Sequence, residues 1–151
     1  MNVATFLQDH DVQFTVIEHA DTYEAARMAQ ALHVSGREVA KTVLLKADDS
    51  YVVAILPAND SIDLNKAAKA LKVTDVELVT EDEISKHCPD CEFGVLPPFG
   101  SQYSMKTMVD NRLAKRDEIC FEGNSHHEAI RMKFEDFQRL EKPLMTDFAW
   151  Q

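Results

Sequence analysis

The chain has 151 residues, a size that suits one domain, and 45% of them are hydrophobic, enough to fill a core. Only four glycines and five prolines exclude a low-complexity chain, and no apolar run nears the ~18 residues of a membrane span. A net charge of −10 excludes a broad electrostatic grip on nucleic acid, leaving two local basic groups: Lys66, Lys69 and Lys72, then Lys106, Arg112, Lys115 and Arg116.

The first ten residues lack a basic start and a long apolar run, so a soluble, cytoplasmic protein with no membrane partner is expected. Val3 to His10 reads as a short helix with Val3, Phe6 and Leu7 on one side. Val12 to Glu18 alternates as a strand does. Asp21 or Thr22 then caps an amphipathic helix to about Leu32, ended by Ser35-Gly36. Two strands follow, Glu38 to Lys46 and Tyr51 to Pro57, joined as a hairpin through Ala47-Asp48-Asp49-Ser50.

Asp63 is placed to cap a helix from Leu64 to Leu71, and Val76 to Val79 reads as a short strand. Thr80-Glu81-Asp82-Glu83 opens another helix, with its acids at the positive end of the helix dipole, and this helix fades by His87. Cys88 to Cys91 forms a turn, and Phe93 to Leu96 is a strand end feeding a Pro-Pro-Phe-Gly loop. Thr107 to Asp110 is a brief strand, and Asn111 to Lys115 a turn. Strands at Glu118 to Glu122 and Glu128 to Met132 are joined through Gly123 to His127. A last helix, Phe134 to Leu140, turns Phe134, Phe137 and Leu140 inward. The order is mixed, with hairpins beside crossover helices. It predicts a single α/β (α+β) domain over 1–151: a curved mixed or antiparallel sheet flanked by helices.

Lys41 is the residue that asks for an explanation. In the strand it shares a face with Val43 and Leu45. An ammonium removed from water without a partner is costly. Such a lysine either snorkels at a sheet edge or lines a pocket where a ligand supplies oxygens. A second element is Gly94-Val95-Leu96-Pro97-Pro98-Phe99-Gly100. Its glycine permits close backbone approach, and its two prolines remove donors and keep the segment extended. The remaining N–H groups could point into a pocket and polarise a carbonyl. The alternative is a rigid surface turn.

Asn124-Ser125-His126-His127 offers amide, hydroxyl and imidazole groups at a strand junction, as hairpin turns often do for geometric reasons alone. Three cysteines, Cys88, Cys91 and Cys120, point to reduced thiols. A single Cys-x-x-Cys pair lacks two further zinc ligands unless His87, His126 or His127 supplied them. Phosphate-binding glycine loops, Gly-x-Ser-x-Gly elbows and His-Glu-x-x-His helices are absent from the sequence.

As an ordered set, these pieces resemble the YbaK/EbsC family of aminoacyl-tRNA deacylases, free-standing relatives of the prolyl-tRNA synthetase editing domain. The set runs from about Phe6 to Leu140. It comprises Phe14 to His19, Thr22-Tyr23-Glu24-Ala25-Ala26, Val39-Ala40-Lys41-Thr42-Val43 with Leu56-Pro57, the loop with Gly94 and Pro98 as Gly-x-x-x-Pro, and Phe121 to His126. The resemblance implies a trans-editing hydrolase that cleaves the ester of a mischarged tRNA at its acceptor end. It implies no metal or cofactor, and a synthetase as a possible partner. Lys41, Gly94 and His126 would be the catalytic residues. Thr22, Val95, Leu96, Pro97, Pro98, Phe99, Gly100 and Asn124 would bind substrate. A non-catalytic module binding tRNA or a synthetase on the same fold is the competing reading.

Overall fold

The computed structural model describes residues 1–19 and 39–150, so the helix expected from Asp21 or Thr22 to Leu32 lies outside the described residues. Helix α1 (Val3–Asp9) is capped by the Asn2 side chain, which accepts from the Thr5 N–H, and it buries Val3 and Leu7. Strand β1 (Phe14–Glu18) begins two residues later than its alternation suggests. Asp11, at φ 55°, and the Val12 N–H, donated to the Leu7 carbonyl, still belong to the helix end.

Strands β2 (Ala40–Ala47) and β3 (Ser50–Pro57) form the expected hairpin, with Ala47 opposite Ser50. Asp48 takes the left-handed turn position that aspartate tolerates. Helix α2 (Leu64–Leu71) starts where the sequence places it, with the Asp63 carboxylate accepting from Asn65 and Lys66. Strand β4 (Val76–Leu78) and helix α3 (Glu81–His87) follow, the latter capped by Thr80. Strand β5 (Lys106–Asp110), strands β6 (Glu118–Glu122) and β7 (Glu128–Lys133), and helix α4 (Phe134–Glu141) complete the predicted set.

Three features differ from the sequence reading. The strands form two sheets, a three-stranded antiparallel β1-β7-β6 and a mixed five-stranded one. They are stitched by a bridge between Val39 and Cys120. The second sheet gains β8 (Leu144–Thr146), parallel to β5, giving the order β4-β2-β3-β5-β8. Three partly buried residues are too short a run for a period to declare itself. Finally, residues 93–96 form no strand. The Gly94 N–H is donated to Ser85 and the Val95 N–H to Glu92, so neither is available to a ladder.

The five-stranded sheet is covered on both faces. Leu44, Val53, Ile55 and Val109 face a core shared with Phe121, Ile130 and Met132 of the other sheet and with Phe137 of α4. Leu45, Val52, Ala54, Leu56 and Met108 face a second core closed by Ala67 of α2 and by Phe148. Burial on both sides explains why β3 reads as a continuous apolar run from Val52 to Pro57.

Between the cores and the C-terminal helix lies a buried polar hub. The Glu141 carboxylate accepts from the Ser101 N–H (3.0 Å), the Ser101 hydroxyl (2.7 Å) and the Thr107 hydroxyl (2.6 Å). Thr107 in turn accepts from the Gly100 N–H at 2.9 Å. Glu141→Gln replaces an acceptor with a donor that faces hydroxyl and amide groups. It is expected to cost about 1–3 kcal/mol, read as a lower urea midpoint with an unchanged m-value.

Candidate functional site

The Gly94–Gly100 loop is a part of the core rather than a surface turn. Phe99 is fully buried, with its ring centroid 5.1 Å from Phe6, 5.3 Å from Phe137 and 5.8 Å from Phe121. Edge and tilted contacts of this kind add to the area that the ring removes from water. Val95 and Leu96 are buried as well, and so are Pro97 and Pro98.

Each end of the loop is fixed by hydrogen bonds. At its entry Gly94 has φ 82°, which accounts for glycine there, and a Cβ would meet Glu81 only at ordinary contact distance. Glycine at 100 has a different reason: a Cβ would lie 2.5 Å from the Thr107 hydroxyl and 2.9 Å from the Met105 carbonyl. The Gly94, Val95 and Gly100 N–H groups are committed to Ser85, Glu92 and Thr107, and the prolines have none. That leaves Leu96 and Phe99, whose N–H groups make no hydrogen bond to another described residue. Of these two, Phe99 is fully buried and Leu96 is 6% exposed.

The turn between β6 and β7 is drawn to the same loop. His126 is buried, its side chain 8% exposed, and its Nε2 lies 3.0 Å from the Phe93 carbonyl, next to Gly94. Its Nδ1 lies 3.0 Å from Glu122. Both ring nitrogens therefore face oxygens of the protein, and the imidazole braces the loop. His127 stands at the surface with Nδ1 3.0 Å from Glu92, which separates the two neighbouring histidines. Asn124 accepts from the Val3 N–H (3.0 Å) and donates to the Met1 carbonyl (2.6 Å), while its own carbonyl accepts from Glu92. Its amide clamps the N-terminus against the loop.

Cys88 and Cys91 correct the expectation of reduced thiols: they are joined as a disulfide. The Cys91 N–H bonds to the Cys88 carbonyl, and this turn brings the two Cα atoms to 5.4 Å, within disulfide reach. Joined to each other, they offer zinc no thiolate. Cys120 is buried.

Lys41 lies half-buried on β2 opposite Leu56. Strand alternation puts it on the face of Val43 and Leu45, against the second core. Leu96 and Phe99 pack in the first core, with Ala40 and Leu44. The sheet thus separates the side chain of Lys41 from those of the loop. Burial pushes the Lys41 ammonium below its usual range, and the Asp60 carboxylate opposes that shift. Asp60 is a neighbour that sequence reasoning missed, as are Ser85, Glu122 and Glu141. Nothing in their spacing signals the contacts. Thr22, expected to bind substrate, lies outside the described residues.

An α/β fold of this kind is shared with solved structures. Over 98% of this chain and 99% of the other, the TM-score is 0.88 to a protein described as hypothetical, at 16% identity. Over 91% and 87% it is 0.80 to a candidate trans-editing enzyme for prolyl-tRNA synthetase, at 19% identity. Residues 19–140 match the aminoacyl-tRNA editing domain, and the chain belongs to that family. It is 24% identical over 147 residues to the multifunctional Ser/Thr-tRNA deacylase ProXp-y of Escherichia coli K12, covering 94% of this chain and 87% of the relative. A proline–tRNA ligase of Geobacillus sp. is 30% identical over 84 residues, 56% of this chain but only 15% of the ligase.

Gly94→Ala forces a side chain into a left-handed backbone. It is expected to cost about 1–2 kcal/mol and to loosen the loop, seen as faster amide hydrogen exchange at Leu96 and Phe99. Protection unchanged from the parent at those two amides would mean that the glycine is not what holds the loop.

Proposed function

We propose that this protein is a free-standing aminoacyl-tRNA deacylase that removes a wrong amino acid from the acceptor end of tRNA. Water attacks the ester carbonyl, the carbonyl carbon passes through a tetrahedral oxyanion, and the ribose hydroxyl leaves with a proton. An ester is already activated, so a positioned water and a polarised carbonyl suffice without a protein nucleophile.

The observation that carries this reading is the loop pinned at both ends, with the N–H of Leu96, a residue 6% exposed, making no hydrogen bond to another described residue. Donors held by a rigid core need no reorganisation as negative charge develops on oxygen. Gly94 supplies the backbone conformation, and Val95, Pro97, Pro98 and Gly100 hold the loop's shape. His126 acts as a positioning residue through the Phe93 carbonyl. Lys41, on the opposite face of β2 from the loop, is the electrostatic anchor for a part of the substrate away from the ester carbonyl, its charge kept in part by Asp60. Likeness to the E. coli deacylase and the proline–tRNA ligase supports tRNA as substrate and a synthetase as partner in its delivery. The competing reading, a binding module without catalysis, is separated by a deacylation assay on a panel of mischarged tRNAs: no turnover on any of them would leave only that reading.

Lys41→Ala is expected to reduce deacylation at least 100-fold without lowering Tm. Burial disfavours the charged form, so the folded protein releases this proton at a lower pH than the unfolded chain does. The charged lysine therefore costs stability at neutral pH, and the cost shrinks as pH rises past the lowered value and is gone above the unfolded value of 10.5. The same titration removes the anchor: kcat/KM is expected to fall on the alkaline side with a midpoint below 10.5. Asp60→Asn moves that limb to lower pH, because the carboxylate raises the lysine. A Lys41→Ala enzyme as active as the parent would remove Lys41 from the mechanism.

A further inference from the structure

Beside Lys41, a cleft of about 310 Å³ is lined by Pro57, Asp60, Arg112, Lys115 and Arg116. It carries three cations against one carboxylate in a chain whose net charge is −10. That carboxylate is already engaged: Arg112 Nη1 lies 2.7 Å from Asp60 Oδ2. Lys115 and Arg116 make no ion pair with another described residue. They leave the short turn Leu113–Lys115, which is nailed down by the buried Leu113. A larger cleft beside the β2–β3 turn has the opposite character, with Asp48, Asp49, Asp75 and Glu77 against Lys46.

Trp150 adjoins the cationic cleft through its backbone carbonyl, which meets the lining residue Arg112. The indole is 57% exposed, yet the backbone beneath it is held on both sides. Its N–H is donated to the Ser61 carbonyl at 2.8 Å, and its carbonyl accepts from Arg112 Nη1 at 3.2 Å. The preceding segment is fixed as well, since Asp110 accepts from the Phe148 and Ala149 N–H groups. An exposed aromatic residue on a rigid backbone, next to a groove whose Lys115 and Arg116 make no ion pair with another described residue, is an arrangement that holds single-stranded nucleic acid. The ring stacks a base and the cations take the adjoining phosphates.

We propose that Trp150 with Arg112, Lys115 and Arg116 forms the docking surface for a single-stranded RNA end, stacking one unpaired base on the indole and seating two adjoining backbone phosphates in the cleft. This rests on the deacylase reading for the identity of the RNA, the unpaired acceptor strand of tRNA. Asp60 joins the two regions, since it pairs with Arg112 and faces the charge of Lys41. A strand seated in the cleft would run toward the substrate anchor.

Trp150 is the single tryptophan of the chain, so intrinsic fluorescence reads this surface alone. The full-length protein is titrated with a short single-stranded oligoribonucleotide, with a blunt RNA duplex of the same sequence and with uncharged tRNA. End-labelled RNA anisotropy gives the affinities independently. The single strand and tRNA are expected to change the emission, and the duplex much less. Trp150→Ala is expected to weaken single-strand binding roughly tenfold to a hundredfold. Lys115→Gln with Arg116→Gln is expected to lower the log–log salt slope by about 1.4, at roughly 0.7 per phosphate contact on a single strand. Binding seen by anisotropy with unchanged emission overturns the proposal. So does equal binding of the duplex, an unaltered salt slope, or no measurable binding of any of the three RNAs. Failure of the deacylase reading looks different: the parent would hydrolyse no mischarged tRNA while the emission change persisted. If instead the variants deacylate with the parent's KM, the docking surface is wrong and the enzyme reading stands.

Discussion

Pairing of β2 with β3 constrains where each functional group can go. With apolar cores on both faces of these strands, the register Lys41–Leu56, Val43–Ala54, Leu45–Val52 admits no slip. A shift by one residue would turn Lys41 into the core between the sheets and carry Leu44 and Leu45 to the wrong sides. The fixed parity delivers Lys41 to the side of Asp60 and the cationic cleft. It also reserves the other side for the aromatic cluster that holds the Gly94–Gly100 loop.

That loop is rigid for a reason its composition does not state. Prolines limit its backbone, but its position comes from burying the Phe99 ring among Phe6, Phe121 and Phe137. Truncating such a ring typically costs about 3–5 kcal/mol, far more than the loop's hydrogen bonds supply singly. Around this anchor the polar contacts divide the work. Ser85, His126 and Asn124 secure the entry, and Thr107 with Glu141 secures the exit. The loop thus acquires core-like order while the Leu96 and Phe99 N–H groups make no hydrogen bond to another described residue.

Electrostatics acts locally against the overall charge. Surface pairs contribute little to stability at ordinary salt, so the worth of the Asp60–Arg112 contact lies in placement. It holds Arg112 across the carbonyl of Trp150 and brings a carboxylate near the half-buried Lys41. The cleft's cations thus stand in a molecule of net negative charge, whose field disfavours anions over the rest of the surface.

Sequence alone determined what depends on near neighbours. The caps at Asp63 and Thr80 and the Asp48–Asp49 turn act within a few residues, as does the alternation of β2, and each element formed where those signals lay. The ordered motifs also carried the family. What the sequence left open depends on residues far apart. Gly94 was legible as a special position, but not that Ser85 would take its N–H. His126 and His127 were indistinguishable until the loop chose one of them. Asn124 offered a ligand-like amide that tertiary packing spent on Met1 and Val3. Cys88 and Cys91 paired because a turn closed over them. The tertiary structure alone placed Asp60 between Lys41 and Arg112, 52 residues from the latter, and Glu141 beneath a loop 40 residues earlier. Local periodicity fixes which face a side chain takes, whereas its partner across the fold is set by how sheets and helices close on each other.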